Sequence, residues 1–187
     1  MSEDRRVRKT KKLIKDTLIE LLNQKSINKI SVTELTEKAD ISRKTFYLHY
    51  SSIYDAKNEL DNDIIDILNS IMQTVPDTMK ETDIMDFFTQ LNLKAQDHKE
   101  LVAYFIQNSN QSELYAKVKS AIKNAVMQRL ENSNKGNINN EYIVEFVVSG
   151  ILNSYIEKNT KDDISTEKFS VLLTKLCSGA LAFLISN

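Results

Sequence analysis

The chain has 187 residues, 41% of them apolar and 27% charged, with a formal net charge of −1. That length suits one ordinary domain, or a small domain joined to a larger one, and the composition is that of a soluble globular protein. The lone cysteine, Cys177, excludes an intramolecular disulfide and fits a reducing cytoplasm. No apolar run follows the opening charges, and "ALAFLIS" near the end is too short to span a bilayer, so neither secretion nor a membrane is expected.

One proline and three glycines leave few sites for tight turns, and Leu, Ile, Lys and Glu are abundant. The sequence predicts an all-α protein of about nine helices. Ile14, Leu18, Leu21 and Leu22 recur at helical spacing, which predicts an amphipathic first helix over residues 6–24. After "QKSINKI", Ser31 and Glu34 have the spacing of a capping box, opening a short helix over 32–38. "ADI" is a tight break, and Ser42 can cap a third helix ending between Tyr47 and His49. Ser52, with Asp55 in the first turn, opens a fourth helix that runs to Met72. Beyond Pro76 the periodicity predicts helices over 83–96, 98–108, 112–132, 139–158 and 166–185. The breaks are marked by "NSNKGNINN" and "NTKDDIST", where Ser165 or Thr166 can cap the last helix.

Charge divides the chain. Residues 1–58 hold 13 Lys or Arg against 8 Asp or Glu, a net of +5; the rest hold 12 against 18, a net of −6. The excess is densest in "RRVRKTKKLIK", with seven cations in eleven positions and no acid. Either the first part meets a polyanion, or the run is a solvated helix terminus.

Two short helices joined by a tight turn, behind a longer one, form a helix-turn-helix whose second short helix can enter the major groove of DNA. Such a helix needs small or polar groups at its leading end, donors for phosphates on its flanks and an apolar underside. Ser42, Arg43, Lys44 and Thr45 supply the first, Tyr47 and His49 the second. Ile41, Phe46 and Tyr50, beside Leu35, supply the third.

On these residues, "SVTELTEKADISRKTFYLHY" (31–50) with the basic helix before it, the chain resembles the TetR-type transcriptional regulators. The resemblance implies that Thr33, Arg43, Lys44 and Thr45 approach bases, that Tyr47 and His49 hold phosphates, and that Val32 and Leu48 are apolar contacts. It further implies a DNA-binding domain over 1–53 and a regulatory and dimerisation domain over 54–187. Asp40 stands where the family usually has glycine, Ile53 where it has lysine and Ala56 where it has leucine.

In the second part, "YIVEFVVSGILNSYI" (142–156) is apolar on more than one face. The last helix carries Phe169, Leu172, Leu173, Leu176, Ala180, Phe183 and Leu184 at three- and four-residue spacing. One side can cover the subunit's own core and the other a second copy; the alternative is a thick monomeric core. The expected homodimer interface comprises Val147, Gly150, Ile151, Ser154, Leu172, Leu176, Gly179 and Phe183, with the two glycines allowing close approach. Phe87, Phe88, Leu91, Leu101, Tyr104, Phe105, Tyr115 and Met127 either line an effector cavity or are ordinary core. "VSGILNSYIEKNTKDDIS" resembles the C-terminal type of a TetR subgroup that includes a dihydroxyacetone kinase operon coactivator, so the effector is a small molecule or a protein partner.

No catalytic site is expected. His49 and His98 are far apart and outside any His/Cys cluster, the glycines are isolated, and Asp162 and Asp163 read as solvated, so neither cofactor nor metal is implied. An all-α enzyme, or a helical adaptor whose basic arm touches RNA or an acidic partner, are the competing readings. Plentiful lysine and asparagine suit a low-GC bacterium. The sequence therefore points to a DNA-binding regulator, a repressor rather than an activator.

Overall fold

Side chains repeating every three or four positions bury one stripe of each long helix, and the helices they predict are present. The computed structural model describes residues 5–74, 81–109, 113–132, 138–161 and 163–186. Among these are nine α-helices and no strand: α1 (Arg5–Leu22), α2 (Val32–Lys38), α3 (Arg43–Tyr47), α4 (Ile53–Met72), α5 (Glu81–Asp97), α6 (Lys99–Gln107), α7 (Glu113–Asn132), α8 (Ile138–Lys161) and α9 (Thr166–Ser186). Pro76 lies outside the described residues.

The chain forms two compact units, Met1–Ile64 and Ile65–Asn187, so their boundary falls within α4. The first unit is built on Ile14, Leu18 and Leu21 of α1, Leu35 of α2, Phe46 of α3, Tyr50, and Ile53 and Ala56 of α4. Because Ile53, Ala56 and Leu60 are buried, the opening turns of α4 belong to this unit, beyond the change of role drawn at residue 53. Local chemistry closes its short helices. The Ser31 hydroxyl accepts the Glu34 N–H at 3.1 Å, and the Ser42 hydroxyl accepts the Thr45 N–H at 3.0 Å. Asp40, at φ 50°, makes the left-handed turn between α2 and α3; its short polar side chain tolerates that backbone better than most non-glycine residues do.

In the second unit α5 packs along α9, α7 along α8, and α8 against α9, with α6 touching α5 and α8. Its core joins Ile84 and Phe88 of α5 to Phe169, Leu173 and Cys177 of α9. A polar thread crosses it: Asn92 donates to Ser170 at 2.7 Å and Tyr155 donates to Asn92 at 3.3 Å. Burial, then the neighbouring Cys177, push the Tyr155 phenol pKa up, and burial pushes the Cys177 thiol up to about 11. Lys119 and Lys123 of α7 pair with Glu141 and Glu145 of α8.

Candidate nucleic-acid interface

α3 is short because it needs only one buried anchor. Phe46 is fully buried, and its ring meets Tyr47 edge-on at 5.4 Å and Tyr50 at 5.8 Å. Anchoring that one side chain leaves the others outward. Thr33, Ser42, Arg43 and Lys44 are exposed, Tyr47 is 49% exposed and Leu48, at the C-cap, is 73% exposed. Thr45 and His49 are half-buried, and Thr45 shares a 2.8 Å hydrogen bond with Ser42. Val32, expected as an apolar contact, leans half-buried against the first core. The leading end of α3 thus presents two cations and hydroxyls, and its far end a tyrosine and a bare leucine. Base edges, phosphates and thymine methyls are met by these side-chain types.

The start of α4 is capped as expected, with Ser52 ahead of it and Asp55 in its first turn. Ile53 is buried in the core, and Tyr54 beside it is 54% exposed. The Asp55 carboxylate accepts the Ser51 N–H at 2.9 Å and the Ser51 hydroxyl at 3.1 Å, while the Asp55 N–H donates to Ser52 at 3.1 Å. The Ser51 N–H therefore serves its own chain rather than a phosphate. Tyr54 was legible in principle: with Ile53, Ala56 and Leu60 turned inward, position 54 must point out.

Behind this surface a charge lattice joins α1 to α4. Lys11 donates to Glu59 at 3.0 Å, and Lys15 donates to Glu59 at 3.3 Å and to Asp63 at 2.5 Å. The Lys11 ammonium also lies 5.7 Å from the centre of the Tyr50 ring. The Tyr50 hydroxyl is buried without a hydrogen bond of normal geometry, and burial followed by the Glu59 charge pushes its pKa up. Burial alone would raise the Glu59 carboxyl, but the Lys11 hydrogen bond and the Lys15 charge outweigh it and hold it below the usual carboxylate range. At the foot of α2, Glu34 is held low first by its hydrogen bond from Lys25, with the Ser31 N–H adding to the effect.

These shifts predict a pH dependence. A carboxyl with a depressed folded pKa stabilises above its unfolded value of about 4.3 and loses that contribution as pH falls through the folded value. The thermal midpoint of the first unit should therefore drop below about pH 4, and less steeply in Glu59→Gln, which keeps the shape without the titration. Parallel pH profiles for the two proteins would contradict the assignment.

The residues expected at an effector cavity separate into different surroundings. Phe88 is core, with Phe87 and Leu91 packed against the same α5–α9 cluster. Tyr104 of α6 is buried, Leu101 and Phe105 are half-buried, and Met127 of α7 is half-buried. Tyr115 reaches Asn153 of α8 at 3.4 Å. An open cleft of about 740 Å³ lies elsewhere, between the end of α8 and the start of α9, lined by Asn153, Lys158, Lys161, Lys168, Phe169 and Leu172 among others. None of those eight residues lines it.

The expected dimer face also divides. Val147 and Ile151 pack half-buried against the subunit's own core, and Ser154 is half-buried. Gly150, Leu172, Leu176 and Gly179 are exposed, and the Phe183 side chain lies outside the described residues. A Cβ at Gly150 or Gly179 would meet nothing within 4 Å, so no close helix approach within the subunit calls for glycine there. Tyr142 and Phe146, each 78% exposed, share a stripe of α8 that the sequence reading passed over.

Among the described residues no His, Cys, Asp and Glu side chains gather as metal ligands, and no helix is long and apolar enough to cross a membrane. No protein-family model and no curated protein sequence matches the chain. Solved structures do. A TetR-family transcriptional regulator from Streptomyces coelicolor superimposes with a TM-score of 0.66 over 100% of this chain and 84% of its own, at 11% identity. A protein from Mesorhizobium loti assigned to the same family gives 0.58 over 97% and 98%, at 14% identity. The fold is that of a TetR-type regulator. At such identities the shared property is the TetR-type arrangement of helices, and it spans the whole chain rather than the helix-turn-helix alone.

Proposed function

We propose that this chain is a sequence-specific DNA-binding regulator of transcription that works as a homodimer on a palindromic operator and represses. The observation that carries the reading is the outward display of Arg43, Lys44, Tyr47 and Leu48 from a helix pinned by Phe46, within a chain of TetR-type fold. Large apolar side chains left in solvent on α8 and α9, Tyr142, Phe146, Leu172 and Leu176, support pairing of two copies. Two-fold pairing sets recognition helices on half-sites about 34 Å apart. The repressor sign and the operator's symmetry rest on the resemblance to the family. A second reading, response to a protein partner rather than to a small ligand, is favoured by the burial of Phe88 in core, with Phe87 and Leu91 half-buried against it.

The test begins with an operator selected from random duplexes. Arg43→Ala should weaken binding to it roughly ten- to hundredfold, the equivalent of about 1–3 kcal/mol for a base contact, with helicity and oligomeric state unchanged. Tyr47→Phe should weaken all duplexes evenly and modestly, as loss of a phosphate contact does. Failure to enrich any sequence, or full affinity in Arg43→Ala, would remove the reading.

A further inference from the structure

Six of the seven cations of α1 fall on two surfaces. At about 100° per residue, Arg5, Arg8, Lys9 and Lys12 fall on one stripe, opposite Ile14, Leu18 and Leu21 in the core, and all four are exposed. Lys11 and Lys15 fall on a flank and are already engaged: both pair with Glu59, and Lys15 also with Asp63. Their side chains are only 26% and 17% exposed. Resting on the DNA-binding reading, we propose that α1 divides its cations between two tasks: Arg5, Arg8 and Lys9, with Lys12 beside them, hold DNA phosphates outside the reach of α3, while Lys11 and Lys15 are a strut to α4 and touch no DNA.

The start of α3 is itself unusual for a solvated helix. The helix dipole favours acids at the first turn and disfavours cations there. α2, α4, α6, α7, α8 and α9 follow that preference with Glu34, Asp55, Glu100, Glu113, Glu141 and Glu167. α3, capped by Ser42, has no acid in its first turn and opens on Arg43. Glu3 and Asp4 precede α1 in the sequence, outside the described residues. Local helix stability is thus set aside at the start of α3, whose cations face outward, a pattern expected where the partner is a polyanion. Lys12 is partly neutralised by Asp16 at 2.6 Å, which leaves Arg5, Arg8 and Lys9 as the stronger phosphate ligands.

Salt dependence reads the two tasks apart, since each phosphate contact adds about 0.9 to the slope of log affinity against log salt. The full-length chain is titrated with a mixed-sequence duplex by fluorescence anisotropy over a range of salt concentrations. Arg5→Gln/Arg8→Gln/Lys9→Gln should flatten the slope by about 2–3 with the thermal midpoint held. Lys11→Met/Lys15→Met should leave the slope in place and lower the midpoint; should that pair fail to fold, Lys15→Met alone carries the comparison. An equal loss of slope in the lysine variant would overturn the division. So would an unchanged slope in the triple variant while Arg43→Ala/Lys44→Ala flattens it, a result that leaves DNA binding itself intact. No binding of the unmodified chain to any duplex would overturn both.

Discussion

Phe46→Ala should unfold the first unit while the second keeps its structure. The ring is fully buried among side chains of α1, α2 and α4, and removing such a side chain costs about 3–5 kcal/mol through lost transfer energy and the cavity left behind. A unit of this size has a total stability of similar order, so little would remain. Hydrogen exchange resolved along the chain gives the measurement: amides of α1 to α3 should lose protection, and those of α5 and α9 should keep theirs. Retained protection in α1 would show that the headpiece core does not depend on this anchor. The variant should also lose duplex binding, because Arg43 and Lys44 are placed only through the helix that Phe46 pins.

Leu172→Asp with Leu176→Asp should give a monomer. The two side chains are 47% and 61% exposed, so each carboxylate can stay hydrated in an isolated subunit and the α5–α9 packing survives. In a paired state the same carboxylates would enter an apolar contact, at a cost of several kcal/mol unless they are matched. The dimer dissociation constant should therefore rise at least a hundredfold, as read by sedimentation. Operator affinity should fall with it, because two half-sites held by one dimer benefit from a high effective concentration that single subunits lose. Helical content should not change. An unmodified chain that sediments as a monomer, or a variant that remains a dimer, would remove α8 and α9 as the pairing surface.

Phe46 was legible as an anchor because α3 is short and closed by local chemistry: Ser42 caps it, the turn at Asp40 precedes it, and only one residue of its five is buried. Helix boundaries followed for the same reason, since caps and breaks act within a few residues; α2 spans Val32–Lys38 as the Ser31 and Glu34 spacing requires. The apolar spacing of α9 likewise includes Phe169 and Leu173, which are buried.

Where two elements compete for one side chain, sequence spacing is silent. Lys11 and Lys15 look like their neighbours in the basic run, and only the return of α4, 44 to 48 residues later, brings Glu59 and Asp63 to them. α8 is apolar on several sides, so its period could not say which stripe is covered; Val144, Val148 and Leu152 are buried, Val147 and Ile151 are half-buried against the α5–α9 cluster, and Tyr142 and Phe146 stay outside. Phe87, Phe88 and Leu91 have the composition of a cavity wall and of a core alike, and it is packing with α9 that buries Phe88 and leaves Phe87 and Leu91 half-buried against it. The sequence by itself determined the helices, their caps and the outward chemistry of α3, because those depend on interactions a few residues long. Tertiary structure alone decided which cations are already paired and which apolar stripes remain bare, because those depend on partners that the chain brings together only by folding.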